Sequence, residues 1–225
     1  MLLAAPFILD LEHRTYRLAW TQSITRRHWV AVKLGLAVLA AVGASAVLIA
    51  LITWWRTPLT DIGGRLDTGT YDTTGSVAIG YTLFALGLAA ALGAMWRRSA
   101  VSLTVAFVGY FAIRIVDDYW LRNRLASPLH ATWSGARLPA YLEKANILSQ
   151  TVTVNGRVIE SGSSGGVLGA HSQLAVPGSR HALVHAVYQP ASSFWTLQIR
   201  ETLLFTAVAA ACLVFAAVWT QRRVT

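Results

Sequence analysis

Residues 34–55 read LGLAVLAAVGASAVLIALITWW, with no charged side chain among them. A helix crossing the hydrocarbon core of a bilayer needs about 20 such residues, because backbone groups left unpaired in lipid are too costly for any open structure. This stretch predicts a transmembrane span. Gly75–Trp96 and Thr202–Thr220 repeat the pattern, also without charge. A fourth run, from Ala100 to about Leu121, is apolar through Ile113 and then carries Arg114, Asp117 and Asp118 before Tyr119 and Trp120. It is read as a span with a polar outer end.

Composition agrees. Hydrophobic residues make up 55% of the 225-residue chain and charged ones 13%, too apolar for one or two soluble domains. The formal charge of +9 does not indicate a nucleic-acid partner, because the basic residues cluster at the ends of apolar runs rather than in one dense patch. A bilayer with anionic lipids accounts for them better. The sole cysteine, Cys212, lies inside an apolar run, so no internal disulfide and no cysteine-based metal site is expected. MLLAAPFIL at the N-terminus lacks the basic n-region and the cleavage pattern of a secretion signal.

Of the nine tryptophans, Trp29, Trp54, Trp55, Trp96, Trp120, Trp195 and Trp219 fall at or near the proposed span ends, where an amphipathic ring prefers the headgroup layer. Arg14, Arg17, Arg26, Arg27 and Lys33 precede the first span, Arg97 and Arg98 fill the turn between the second and third, and Arg222 and Arg223 close the chain. With four spans these share one side, which the positive-inside rule makes cytoplasmic. Arg56, Arg65 and the basic residues from Arg122 to Arg200 fall on the other side, mostly in a long loop that translocates regardless of charge. Gly35, Gly43, Ala44, Ser45, Gly80, Gly87, Ala91 and Gly93 supply small residues for close helix packing in lipid.

The expected fold is therefore all-α: a polytopic transmembrane bundle of four spans, both termini cytoplasmic, with a small extracellular α+β or β-containing loop domain. Residues 1–33 precede the first span and include a cytoplasmic amphipathic segment. Residues 34–121 hold the first three spans, 122–199 the outer loop domain, and 200–225 the last span and tail. Within the loop, QTVTVNGRVIES places Asn155-Gly156 between alternating residues, a strong hairpin signal, and HALVHAVYQ supplies a third strand.

Residues 10–32 are too polar to cross, yet carry Leu11, Tyr16, Leu18, Trp20, Ile24 and Trp29, as an interfacial amphipathic helix would. A plain membrane anchor satisfies this pattern. The stretch EHRTYRLAWTQSITRRHWVAVKL, however, resembles the juxtamembrane segment of actinobacterial ABC transporter permeases of the exporter-type membrane class. Two further similarities follow in order: Leu121, Arg122 and Pro128 after the third span, and YQPASSFWTLQIRETLLF, with Tyr188, Gln189, Pro190, Phe194, Trp195, Gln198 and Glu201, leading into the last.

Such permeases usually have six spans and a cytoplasmic coupling helix. The resemblance implies that MLLAAPFIL is the tail of a second helix, that the chain lacks the first one to two, and that Trp20, Thr21, Gln22, Arg26 and Arg27 contact an ATPase. It also implies an ABC ATPase subunit as partner, a homodimer or heterodimer of permeases, a plasma-membrane location, and ATP bound by the partner rather than by this chain.

Arg114, Asp117 and Asp118 stand at i, i+3 and i+4, so opposite charges share a helix face near the outer boundary. Local neutralisation explains them, and a polar translocation path or an aspartyl pair are the alternatives. Adjacent helical aspartates point about 100° apart, which argues against a shared proton. Glu201, beside Arg200, reads as a carboxylate at a helix N-terminus.

Gly162-Ser163-Ser164-Gly165-Gly166 spells G-x-S-x-G but has none of the strand–turn–helix context of a nucleophile elbow and is read as a linker. His171, His181 and His185 have no carboxylate or cysteine nearby to complete a metal set. No Walker A, GxGxxG or HExxH sequence occurs. Neither a catalytic nor a metal or cofactor site is expected. The favoured function is the permease subunit of an ATP-driven exporter. The alternatives are a membrane protein with an extracellular sensing or binding domain, and a membrane hydrolase built on Asp117 and Asp118.

Overall fold

The computed structural model describes residues 1–15, 25–56, 66, 68–134, 139–142, 145–163 and 182–223. Among them are α1 (Ala5–Glu12), α2 (Arg26–Arg56), α3 (Thr68–Thr73), α4 (Val77–Trp96), α5 (Ser99–Val116), α6 (Arg122–Leu125) and α7 (Phe194–Arg223). Four strands complete the order: β1 (Leu129–Ser134), β2 (Asn146–Val154), β3 (Arg157–Ser163) and β4 (Ala182–Gln189). Four helical stretches among the described residues are long and apolar enough to cross a membrane: Arg26–Arg56, Val77–Trp96, Ser99–Leu121 and Ala191–Arg223. Three contain one of the runs read from the sequence, and Val77–Trp96 begins two residues inside the run from Gly75. The chain divides into two compact units, residues 1–51, 76–114 and 201–225 forming one and residues 52–75 and 115–200 the other.

In the first unit α4 is the central helix. Its apolar stretch is 67% buried, against 17%, 11% and 17% for the stretches in Arg26–Arg56, Ser99–Leu121 and Ala191–Arg223. Apolar side chains such as Leu39, Val47, Phe107, Val108, Leu203 and Val214 face outward on those three helices, as side chains solvated by lipid do. Small residues on α4 let α7 approach to backbone contact. A Cβ added at Gly80 would lie 3.3 Å from the Cα of Thr202, and one at Gly87 only 2.8 Å from the carbonyl oxygen of Ala209. The seven-residue step is the same on both helices, so α4 and α7 run parallel, with two helical turns between contacts. Gly35 and Gly43 of α2 have no atom within 4 Å of the Cβ position, whereas Gly80, Gly87 and Gly93 have close neighbours there, and Ser45 and Ala91 are buried.

The N-terminal segment packs against α4. Pro6 occupies the first turn of α1, where no backbone donor is needed, and Phe7, Ile8 and Leu11 are buried together with Ala4. Gly93 gives Ile8 its space, since a Cβ there would come within 2.5 Å of Ile8 Cγ1. Trp29 is buried against Phe7 at 6.0 Å between ring centres and therefore serves the core, whereas Trp54 and Trp55 are exposed as an interfacial position requires. Lys33 Nζ reaches Asp10 Oδ2 at 2.7 Å. The polar segment that follows α1 is only partly described, and by Arg26 the chain has entered the 31-residue helix α2.

The second unit carries an antiparallel sheet in the order β1-β4-β2-β3. Asn155 (φ 50°) and Gly156 (φ 77°) take the left-handed conformations a tight two-residue hairpin demands, joining β2 to β3 as the sequence predicts. β4 is the expected third strand. β1 was not anticipated; it pairs with β4 from Leu129↔Tyr188 to Ser134↔Leu183. Ala131, Gln150, Val152, Val184 and Ala186 share one buried face of the sheet.

Two predictions follow from the first unit. Replacing Gly87 with valine forces side-chain atoms into the Ala209 backbone and should destabilise the bundle by about 1–3 kcal/mol, while Gly43→Val should change little. Thermal unfolding of the purified chain in detergent distinguishes the two, and equal midpoints would reject the close α4–α7 contact. The second concerns Glu12, whose Oε2 accepts the Ser99 backbone N–H at 2.9 Å at the start of α5. Hydrogen bonds from the Ser99 side chain and backbone hold its carboxyl below the usual carboxylate range. A depressed folded-state value contributes stability above the unfolded value, near pH 4.3, that disappears as pH falls through the folded one. The midpoint difference between wild type and Glu12→Gln should therefore be present at pH 6 and shrink as the pH falls below the usual carboxylate range; a difference that does not change with pH would contradict the assignment.

Candidate functional site

Charged side chains inside apolar helices are expensive and are retained where structure or function requires them. Both units bury such groups, at positions supplied by the span helices.

In the second unit the helix of the third span changes character at the two aspartates. Asp117–Leu121 is a π-helical turn, closed by the Arg122 N–H bonding to the Asp117 carbonyl five residues back. A π turn inserts an extra residue and re-aims the side chains around it, and such turns concentrate at functional positions. Here Asp117 and Asp118 are 1% and 3% exposed. Arg122, itself buried, donates from Nη1 to Asp118 Oδ1 and from Nη2 to Asp72 Oδ1, each at 2.6 Å. Its guanidinium lies 4.4 Å from the centre of the Tyr71 ring. One guanidinium thus bridges a carboxylate on its own helix and another 50 residues before it in sequence and stacks on an aromatic face, which suits arginine and not lysine.

The same unit fixes α3 through Gln198, a fully buried side chain of α7. Its Nε2 donates to the carbonyl oxygens of Tyr71 at 3.0 Å and Thr74 at 3.1 Å, satisfying the open end of α3. Gly75 follows with φ 81°, and a Cβ there would meet Gln198 Oε1 at 2.8 Å, so glycine is required twice over. The Tyr71 ring packs edge-on against Phe194 at 5.8 Å.

In the first unit Glu201 is completely buried. It accepts the Tyr81 hydroxyl proton and faces Arg114, whose Nη1 is 3.6 Å from Glu201 Oε1. The Arg114 guanidinium also sits 3.7 Å from the Tyr81 ring centre. Tyr81 belongs to α4, Arg114 to α5 and Glu201 to α7, so three spans meet at one acid, one base and one phenol. Phe205 packs edge-on against Tyr81 at 4.9 Å, and Ser76 and Thr202 hydroxyls lie 3.0 Å apart.

Of the charge cluster marked in the sequence, the structure buries Asp117, Asp118 and Glu201. Arg114 was expected beside Asp117 and Asp118 by helical spacing; its ion pair in the first unit is with Glu201, across helices. Glu201 was expected at a helix N-terminus, but α7 begins at Phe194, so Glu201 stands two turns inside and is neutralised by side chains. Tyr81, Asp72 and the bridging role of Arg122 were missed. The i, i+4 spacing of Asp118 and Arg122 was visible in the sequence; the reach to Asp72 was not. Of the proposed coupling residues, Arg26 and Arg27 are exposed on the first turn of α2. Trp20, Thr21 and Gln22 lie outside the described residues, as do Ser164, Gly166, His171 and His181. His185 is exposed, its Nδ1 2.9 Å from Thr132 Oγ1.

Asp118, held by a guanidinium at 2.6 Å, is suited to fixing helices rather than to general-base chemistry. Residues 1–122 match the family described as ABC-2 membrane transporter related. The chain belongs to this family. Comparison with curated proteins and with solved structures gives no match. The matched stretch includes Asp72, Tyr81, Arg114, Asp117, Asp118 and Arg122, and ends before the sheet and α7. The chain is accordingly a multi-pass membrane protein of the ABC-2 permease type, with four apolar helices and a small antiparallel sheet.

Removing the bridging cation should be costly. Arg122→Met leaves the buried Asp118 and the part-buried Asp72 opposite an apolar chain and should destabilise the protein by about 3–5 kcal/mol, with partial recovery when Asp118→Asn is added. Denaturation of the single and double variants in detergent tests this; additive losses would show that Arg122 and Asp118 do not act as a pair.

Proposed function

We propose that the chain is the transmembrane permease subunit of an ATP-driven ABC exporter in the plasma membrane. It pairs with itself or with a similar permease, and a separate ATPase subunit binds and hydrolyses ATP. Membership of the ABC-2 membrane transporter related family carries this proposal. The Tyr81–Arg114–Glu201 contact supports it, because an ionic clamp on three spans lets α4, α5 and α7 move together when a cytoplasmic partner pulls on one of them. The outward apolar faces of α2, α5 and α7 leave surface for lipid and for a second permease subunit.

In this scheme both termini are cytoplasmic and residues 122–199 form the extracellular domain. Residues 1–33 include the coupling segment, with Trp20, Thr21, Gln22, Arg26 and Arg27 facing the ATPase. The exposed basic pair at the start of α2 offers a partner a charged handle on a helix that continues through the membrane. The four-stranded sheet favours a second proposal, a membrane protein that senses or binds a ligand outside the cell and does not transport.

Affinity purification of the tagged, detergent-solubilised chain from its native membrane, followed by mass spectrometry, separates the two. An ABC ATPase subunit should co-purify, and Arg26→Glu/Arg27→Glu should reduce its recovery at least several-fold while membrane insertion persists. Reproducible absence of any ATPase would favour the sensing protein.

A further inference from the structure

The ends of α4 and α7 bring four arginines together, and neither the fold nor the proposed transport role uses them. Arg97 and Arg98 follow α4, and Arg222 and Arg223 end α7. The two helices run parallel, so both C-termini lie at the same end. Arg97 Nη2 donates to the Arg223 carbonyl oxygen at 2.7 Å, which joins the two pairs. Arg97 also holds a left-handed backbone (φ 54°) at the C-cap of α4, a position that ordinarily selects glycine.

Among the described residues at this end, Asp10 pairs with Lys33 at 2.7 Å, and Glu12, which accepts the Ser99 N–H at 2.9 Å, interacts electrostatically with Arg98; one carboxylate does not balance four arginines. Arg98, Arg222 and Arg223 are exposed. The helix dipoles favour cations at C-termini, but that effect is satisfied by one or two charges and leaves the outward guanidinium groups with unfilled donors.

The surroundings indicate what fills them. Trp96 is 41% exposed beside Arg97, and the Arg223 guanidinium lies 5.2 Å from the Trp219 ring centre. Tryptophans at the ends of apolar spans mark headgroup depth. Phe215, Val218 and Arg222 fall on one face of α7, and Met95, Phe215 and Val218 present apolar surface immediately inside the arginines. Guanidinium groups above exposed apolar side chains at headgroup depth match a phosphate above acyl chains.

We infer that Arg97, Arg98, Arg222 and Arg223 form a binding site for the phosphate groups of an anionic phospholipid, the acyl chains lying along the ends of α4 and α7. The site does not depend on the identity of the transported substrate or on an ATPase.

Native mass spectrometry of the full chain in detergent, supplemented with cardiolipin or with phosphatidylcholine, tests the site. Wild type should retain cardiolipin and not phosphatidylcholine. Arg97→Gln/Arg98→Gln/Arg222→Gln/Arg223→Gln should lower cardiolipin retention at least tenfold, and the four-fold lysine variant should keep most of it. Arg26→Gln/Arg27→Gln, which removes charge at the same end outside the cluster, should leave it unchanged. If the four-fold glutamine variant fails to fold, Arg98→Gln/Arg222→Gln keeps Arg97 and its bond to the Arg223 carbonyl and should still lower retention several-fold. Equal retention of the two lipids, or equal loss from the cluster and from Arg26/Arg27, would overturn the site. Unchanged cardiolipin retention accompanied by loss of a co-purifying acidic protein would overturn it in favour of a protein partner.

Discussion

A carboxylate with no exposed surface in a set of apolar helices must find a cation or give up its charge, and Glu201 is such a group. The rest of the first unit is arranged around that requirement. Arg114 must come from α5, because α7 has no basic residue between Arg200 and Arg222. Tyr81 must come from α4, because a phenol both donates to the carboxylate and offers a ring face to the guanidinium. Once those three meet, the rotation of α4, α5 and α7 about their own axes is fixed, which apolar packing alone does weakly in lipid, where one Leu or Val face is much like another.

Close approach by small residues is the second constraint, and it depends on the first. The hydroxyl contacts that join α4 to α7, Tyr81 to Glu201 and Ser76 to Thr202, are short-range interactions, and they require the backbones to lie closer than Leu or Phe would permit. Gly80 and Gly87 supply that spacing at the height of Thr202 and Ala209, directly along the helices from Tyr81 and Glu201. Gly93 does the same for α1, allowing Ile8 onto α4. Gly35 and Gly43 of α2 face open space.

The spans were legible because lipid leaves only one solution for a 20-residue apolar run, and the Asn155-Gly156 hairpin because its turn chemistry is equally restrictive. β1 went unread although Leu129, Ala131 and Trp133 alternate with His130, Thr132 and Ser134; six residues with a small amphipathic contrast do not stand out beside spans of 20. The charged residues stand out in the sequence, but their partners on other elements do not. Helical spacing identifies partners on one helix, which is enough for Asp118 with Arg122, and it is silent about Asp72 and Glu201, which arrive from other elements. The sequence also hides the π turn, because nothing in Asp-Asp-Tyr-Trp-Leu distinguishes five-residue from four-residue hydrogen bonding.

The π turn explains why Asp118 and Arg122 can pair and both be buried. A regular helix would place successive side chains 100° apart and carry one of Asp117 and Asp118 toward lipid. The wider turn changes that angle over five residues and lets both aspartates turn inward, at the cost of poorer local hydrogen bonding. Asp118 then needs a cation, and with Asp72 facing the same group that cation must bond in two directions at once. Arg122 does so with separate nitrogens, to Asp118 on its own helix and to Asp72 on α3, so a local irregularity in one helix becomes the means of fastening another. A lysine there has a single nitrogen and no planar face for Tyr71, which is why the irregular turn and the arginine belong together as one device.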